Sequence, residues 1–311
     1  MSYKYTSFNR YKYSYLFLLI LLCNRGEKIY GGESSNNPYQ ELSMTKSTIH
    51  NPLNSKQLHI LKLVHKFRFI TAPLLTQYKN LKSRQAMYAT LELLAKQEYL
   101  SKRIDKSIAF QNKGARYFLA PKAFKVLRET HSADEKSLHA MYNNKRVAEG
   151  FVDHFIEIIR FYLVLRDSYP GTFHLFTYSE LFKYSELPSD PRPDLYLNCI
   201  AAKGDPKQYI LYSFTDKRLY AIKKDFDALI EHFDSGDWEA ESETDYPTVL
   251  LVCADSRAEE SVRRYIATKL DNTGIDDLKV LTTSSKGLLN SNRANRAVWS
   301  DVLEPEVLVS L

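Results

Sequence analysis

The stretch Ser83-Arg84-Gln85-Ala86-Met87-Tyr88-Ala89-Thr90-Leu91-Glu92-Leu93-Leu94 decides how the first half of the chain is interpreted. Its large apolar residues recur at i, i+4 and i+7, the spacing of one buried helical face: Met87, Leu91 and Leu94. The polar and aromatic residues at its start then lie on the outer side, where a helix placed in a DNA groove contacts bases and phosphates. These candidate DNA contacts are Ser83, Arg84, Gln85 and Tyr88.

The residues on either side complete a recognisable order of elements. Residues 55–64 carry apolar positions at helical spacing, and Ser55 can cap the start of that helix. A shorter helix is expected over 70–75, with Thr71 as its N-cap. Two short strands follow, over 99–102 and 115–119. Three helices followed by a two-stranded wing is the winged-helix order, and the wing adds the candidate DNA contacts Lys106, Lys113 and Arg116.

The distribution of charge supports a polyanion partner for this region. Residues 51–150 contain 19 Lys and Arg against 7 Asp and Glu, a net charge of +12. Residues 151–311 contain 18 against 27, a net charge of −9. A strongly basic domain beside an acidic one is typical of nucleic-acid binding, with a solvated basic surface as the alternative.

The first residues of the chain differ in composition from the rest. Basic residues precede an apolar run over 15–23, as in a signal peptide, but the run is too short to span a bilayer and no small-residue cleavage site follows. We expect a disordered or spurious extension, with the functional chain beginning near Met44; a membrane tether is the alternative. The predicted extension, winged-helix domain, linker and second domain are residues 1–43, 44–131, 132–144 and 145–311.

The second domain alternates helices and strands. A long amphipathic helix is predicted over about 145–167, and an acidic loop over 236–246. The predicted strands are 172–177, 194–200, 208–214, 248–253 and 278–282, and the later helices are 219–233 and 258–270. This order predicts an α/β sandwich around a mixed sheet, so that the whole chain is α+β and multidomain.

The order of these elements resembles the replication-relaxation family of plasmid-borne proteins, which joins a winged helix to a domain similar to the PD-(D/E)xK nuclease fold. The residues that carry the resemblance are Phe69-Ile70-Thr71, Leu74-Leu75, Ser83-Arg84, Leu91, Leu94, 117–123, His154, Arg192-Pro193-Asp194, 209–233 and Ala297-Val298-Trp299. The resemblance covers about residues 55–300. It implies a DNA-binding protein of plasmid or mobile-element replication or mobilisation.

A PD-(D/E)xK site needs two carboxylates on adjacent strands to hold Mg²⁺, and a lysine beside the attacking water. The resemblance makes Asp194 the first acid and the metal-ligand candidate, whereas Tyr212 or Ser213 occupies the place of the second acid. The remaining candidates for catalytic residues are Glu157, Asp205, Lys207 and Asp216. We therefore predict a degenerate nuclease-like domain that does not cut DNA and needs no cofactor, with Mg²⁺ required only if the domain is active. His154 lies on an apolar helical face and is expected to be a packed core histidine.

Two other function classes stay open. One is a relaxase-like, metal-dependent nicking endonuclease; the other is a winged-helix transcription regulator with an acidic sensory domain. Double-stranded DNA is the expected partner, with plasmid replication or mobilisation proteins and a second copy of the chain as further candidates. The three cysteines, Cys23, Cys199 and Cys253, form no metal-binding or disulfide pattern. Reduced thiols and DNA binding both favour the cytoplasm.

Overall fold

The computed structural model describes residues 53–104, 114–200 and 207–311. They form a mixed α/β structure with ten α-helices, a three-stranded sheet and a seven-stranded sheet. The predicted N-terminal extension and the wing residues Lys106 and Lys113 lie outside the described residues. Within the described part of the chain, none of the helices combines the length and apolarity needed to cross a membrane.

Residues 53–104 and 114–131 form what we call the three-helix lobe, after the three helices that precede its last two strands; a fourth helix follows those strands. Its elements are α1 (Ser55–Phe67), β1 (Ile70–Thr71), α2 (Ala72–Tyr78), α3 (Arg84–Lys96), β2 (Leu100–Arg103), β3 (Arg116–Leu119) and α4 (Pro121–Glu129). The three strands pair antiparallel in the order β1-β3-β2, so β3 lies between the other two. The side chains predicted to face inward on α3 are buried: Met87, Leu91 and Leu94.

The caps of the first two helices follow from short polar side chains. Thr71 is the N-cap of α2, as predicted, and its hydroxyl accepts a hydrogen bond from the amide of Leu74 at 3.4 Å. The cap of α1 differs from the prediction: Asn54, not Ser55, accepts from the amide of Gln57 at 2.9 Å. The Gln57 side chain accepts in return from the amide of Asn54 at 3.0 Å, which completes a capping box.

The segment predicted as a linker, 132–144, contains a packed helix, α5 (Glu135–Met141). The Asp134 carboxylate caps its first turn, accepting from the amides of Lys136 and Ser137 at 2.9 and 3.2 Å. Leu138 and Met141, three residues apart on one face, are buried. The structure differs from the prediction because two apolar residues and one cap suffice for a helix that docks on a neighbour.

Residues 149–200 and 207–311 form what we call the seven-stranded lobe. Its helices are α6 (Glu149–Ser168), α7 (Leu219–Asp234), α8 (Asp237–Ser242), α9 (Ser256–Thr273) and α10 (Ser285–Leu289). Its strands are β4 (Phe173–Thr177), β5 (Leu195–Cys199), β6 (Gln208–Phe214), β7 (Thr248–Cys253), β8 (Val280–Ser284), β9 (Trp299–Asp301) and β10 (Leu308–Val309). The strand order is β10-β9-β8-β7-β6-β5-β4, and only β6, β7 and β8 run parallel.

Helices cover both faces of this sheet. Along β6, successive residues alternate between two apolar clusters, as strand geometry requires: Leu211 joins the cluster that contains α6, and Ile210 joins the cluster that contains α7 and α9. The sequence missed α10, β9 and β10. It also predicted a loop where α8 lies; Trp238 anchors α8, because its indole is buried and donates to the carbonyl of Asp245 at 3.0 Å.

The two lobes share one apolar core. Phe67 at the end of α1 packs edge-on against Tyr162 of α6, with ring centroids 5.1 Å apart. Arg68 is buried between the lobes, where its guanidinium lies 4.7 Å from the ring of Phe151 and donates to Asn144 at 2.8 Å. The core therefore crosses the predicted boundary between the domains, so the three-helix lobe is fixed on the seven-stranded lobe.

Candidate functional site

The outer face of α3 carries the sequence-predicted DNA contacts. Ser83 is the N-cap of this helix, and Arg84 and Gln85 occupy its first turn. All three side chains are exposed, as is Tyr88 in the second turn. The structure thus brings together the four residues predicted from the sequence at one end of α3.

A group of cations surrounds the start of α3. Within the described residues, the side chains of Lys79, Lys82 and Arg84 enter no ion pair. The pKa of His59 is lowered by partial burial and then by the positive charges of Lys79 and Lys62, which places α1 in the same positive field. An arrangement of like charges with no acidic partner favours an anionic ligand.

The base of the wing is tied to α3. Glu92 is the one acidic residue of α3, and its carboxylate accepts from Lys102 of β2 and from the hydroxyl of Tyr117 of β3, both at 2.7 Å. The pKa of Glu92 is lowered by these two hydrogen bonds. The carboxylate is therefore neutralised by the strands and does not oppose an anion at the helix face.

Arg116, which was predicted to contact DNA, is buried and ion-paired within the protein. Its side chain is 5% exposed and forms ion pairs with Glu149 and Asp153 in the first turns of α6. Arg103 of β2 donates to Glu149 at 3.1 Å as well, and to the carbonyl of Val147 at 2.7 Å. The reason is that two acids at i, i+4 of a distant helix are placed beside the wing strands by the shared core.

An open cleft of about 730 Å³ lies between α3 and β2. Four of the side chains that line it are cationic: Lys96, Lys102, Arg103 and Lys145. Lys102 and Arg103 are ion-paired with Glu92 and Glu149, so Lys96 and Lys145 are the cations of this cleft that have no ion-pair partner among the described residues.

A second polar cluster lies in the seven-stranded lobe, where β6 ends and β5 begins. Asp194 is buried there, one residue before β5. Its Oδ1 accepts from His154 Nε2 on α6 at 2.8 Å, and its Oδ2 accepts from the amide of Ser213 at 2.8 Å. Both carboxylate oxygens therefore have donors within the protein.

His154 is held between two acids. Burial lowers its pKa, but the charge of Asp194, the hydrogen bond to it and the charge of Asp216 outweigh burial, so the pKa of His154 is raised overall. Its Nδ1 lies 3.8 Å from Asp216 Oδ1. The sequence favoured a packed core histidine at this position; the structure gives it charged partners on both ring nitrogens.

Two hydroxyl side chains lie close together near the end of β6. Ser213 stands at the end of β6, and Thr215 follows two residues later. The two hydroxyls lie 3.1 Å apart, and Thr215 also donates to Glu157 of α6. Glu157 accepts a further hydrogen bond from Ser285 at 3.0 Å. Glu157 is thus held in a neutral network that contains no lysine.

Two other predicted catalytic residues, Lys207 and Asp216, lie apart from the Asp194 carboxylate. Lys207 precedes β6 at the opposite end of that strand, six residues and roughly 20 Å from Ser213. Asp205 lies outside the described residues. Asp216 is exposed and reaches the cluster only through His154. Among residues 53–104, 114–200 and 207–311, no group of three or more His, Cys, Asp or Glu side chains could hold a metal ion.

The ionic partners of three residues on α6 were missed from the sequence: Glu149, Asp153 and His154. The sequence shows an acidic pair at i, i+4 in the first two turns of α6, but the neighbouring residues do not indicate which cations pair with it.

No known protein family matches the chain, and no curated protein matches it. Among solved structures, a cysteine-to-serine mutant of Lactococcus lactis ZitR is similar at a TM-score of 0.23 and 20% identity, over 46% of this chain and 88% of that chain. A glutamate-to-alanine mutant of ZitR is similar at a TM-score of 0.23 and 19% identity, over 48% of this chain and 91% of that chain. The cysteine-to-serine mutant in complex with DNA is similar at a TM-score of 0.23 and 20% identity, over 48% of this chain and 90% of that chain. At this TM-score the likeness carries no argument.

Proposed function

We propose that the chain is a DNA-binding protein that contacts duplex DNA through the three-helix lobe, used as a winged helix with α3 as the recognition helix. We also propose that it acts in plasmid or mobile-element replication or mobilisation, and the resemblance described above supports this proposal. The observation that carries the proposal is the exposed start of α3, where Lys79, Lys82 and Arg84 have no acidic partner in the described residues. Cations at the end of a helix that lies beside a pair of strands can contact the phosphates on either side of a DNA groove.

We further propose that the seven-stranded lobe is a degenerate nuclease-like domain that does not cut DNA. The residues present do not fit a catalytic Mg²⁺. Both oxygens of Asp194 are occupied, by His154 and by the amide of Ser213, and hydroxyl side chains stand where the second acid and the lysine would be needed. The imidazole of His154 is hydrogen-bonded to Asp194, and the raised pKa of His154 favours the charged form beside that carboxylate.

Fluorescence anisotropy with the full chain and a labelled duplex tests the first proposal. If roughly five phosphates are neutralised, log K falls with log salt at a slope of about −4 to −5. The variant Lys79→Ala/Lys82→Ala/Arg84→Ala should bind more weakly and reduce that slope by about 2 to 3. Affinity that does not change between low and physiological salt would reject DNA binding through this surface.

A matched control variant removes three cations elsewhere. The residues Lys224, Arg257 and Lys279 are exposed in the seven-stranded lobe and enter no ion pair in the described residues. Their triple alanine variant changes the net charge equally and should leave the slope unchanged. An equal loss of affinity in the two triple variants would mean that only net charge matters.

Incubation with supercoiled plasmid and Mg²⁺ or Mn²⁺ tests the second proposal. No open-circle product is expected. Product that disappears in Asp194→Ala would reject the proposal and favour the relaxase-like endonuclease. A defined operator together with a small-molecule ligand would instead favour the transcription regulator.

A further inference from the structure

The outermost strip of α3 is uncharged over two turns and is bounded by cations. Around the helix axis, the side chains of Ala89 and Leu93 are rotated by about 160–200° from the buried side chain of Leu91, so they point away from the core. Gln85 and Lys96 lie on the same side at the two ends of the helix. Leu93 is 44% exposed although it lies in the middle of a helix whose other face is fully packed.

Three of these residues follow one another at equal steps. Gln85, Ala89 and Leu93 stand at i, i+4 and i+8, so each is about 6 Å further along the helix axis than the one before. A step of about 6 Å is close to two base pairs of duplex DNA, which rise about 3.4 Å each. The strip therefore matches a short run of bases in a major groove, which is wide enough to admit a helix.

The chemistry of the strip is specific. Glutamine pairs in bidentate fashion with adenine N6 and N7, and apolar side chains contact the C5-methyl group of thymine. Ala86 and Ala89 are small and exposed, so the helix backbone can come close to the bases. Glu92, the one carboxylate of α3, is held toward the wing by Lys102 and Tyr117 and leaves the strip uncharged.

We infer that α3 selects A·T base pairs in the major groove, with Gln85 contacting adenine and with Ala89 and Leu93 contacting thymine methyl groups. The inference rests on the proposed function and adds the class of sequence that is bound. Charge complementarity selects DNA as the occupant of the strip, because Lys82 and Arg84 precede it and Lys96 ends it. Arg84, in the first position of α3, is seven residues before Leu91 and so lies about 20° from its direction around the helix axis, outside the strip; it is exposed at the helix end and serves a phosphate.

Two measurements with the full chain test the inference. Selection from a random duplex library should return sites with a short A·T run. Replacing each contacted thymine by deoxyuridine removes one methyl group and should weaken binding by about fourfold. Leu93→Ala should abolish the deoxyuridine effect at one position, and Gln85→Ala should reduce discrimination at one adenine roughly 5- to 150-fold.

Leu303→Ala is the matched control, because Leu303 is similarly exposed, at 53%, and lies in the seven-stranded lobe. It should change neither affinity nor selectivity. Salt-dependent binding with no A·T preference and no deoxyuridine effect would overturn the inference but leave the proposed function intact. Absence of any salt-dependent duplex binding would reject both. Leu93→Ala that abolishes self-association in sedimentation and leaves DNA affinity unchanged would make the strip a protein interface and overturn the inference.

Discussion

Replacing the acids that hold Arg116 should destabilise the whole protein without removing a DNA contact. In Glu149→Gln/Asp153→Asn the guanidinium of Arg116 stays buried and loses both negatively charged partners, because the amides can accept a hydrogen bond but carry no charge. Exposed ion pairs contribute at most about 1 kcal/mol, whereas removal of one partner from a buried pair costs about 3–5 kcal/mol. Arg116 is 5% exposed, but the two carboxylates are 34% and 43% exposed, so solvent screens them. We expect an intermediate loss of roughly 2–3 kcal/mol.

Urea unfolding of the full chain measures this loss as a lower midpoint with an unchanged slope. A loss of this size should also lower the melting temperature by roughly 4–10 °C. Glu260→Gln is the control, because Glu260 forms an exposed i, i+4 pair with Arg264 on α9. It should change the free energy of unfolding by less than about 0.5 kcal/mol.

Adding Arg116→Met to the double variant shows whether Arg116 acts only in the stability of the fold or also contacts DNA. Methionine removes the unpaired charge and keeps most of the side-chain volume, so the triple variant should regain much of the lost stability. Its DNA affinity and salt dependence should equal those of the wild type. A well-folded triple variant whose salt slope falls by about 1 would show that Arg116 contacts a phosphate and would refute this reasoning.

Three further predictions concern other residues. Burial lowers the pKa of His65 to about 4, so the native state should lose stability as pH falls from 6.5 to 4, by up to about 3 kcal/mol, and urea unfolding of His65→Gln should not show this loss. The pKa of His154 is raised, so its pairing with Asp194 stabilises the native state fully below pH 6.5. This stabilisation is lost as pH rises through the folded-state pKa of His154. His154→Gln should therefore lower the free energy of unfolding more at pH 6 than at pH 9. Arg84→Ala and Lys113→Ala should each weaken binding to all sequences nearly equally in anisotropy titrations, and each should reduce the salt slope by about 1. Equal penalties at the two pH values, or wild-type affinity in both DNA variants, would contradict the last two.

Several helices and strands could be predicted because they depend on residues that are close together in the chain. The spacing of Met87, Leu91 and Leu94 located α3 and its buried face, and Thr71 located the start of α2. Alternating or continuous apolar residues located five of the seven strands of the large sheet, β4 to β8. These signals are reliable because a helical face and an N-cap bring together residues only three or four positions apart.

The tertiary structure decided the partners that lie far apart in the chain. Arg116 meets Asp153 across 37 positions, and His154 meets Asp194 across 40. The sequence alone does not show which distant residues these side chains pair with. Arg116 was therefore predicted to contact DNA, and His154 was predicted to pack in the apolar core. The helix α5 carries too few apolar residues to be predicted alone; the buried side chain of His65, 2.7 Å from Ser137, supplies the surface on which it packs. Only packing of the two lobes determines which charges are neutralised inside the protein and which remain exposed to a ligand.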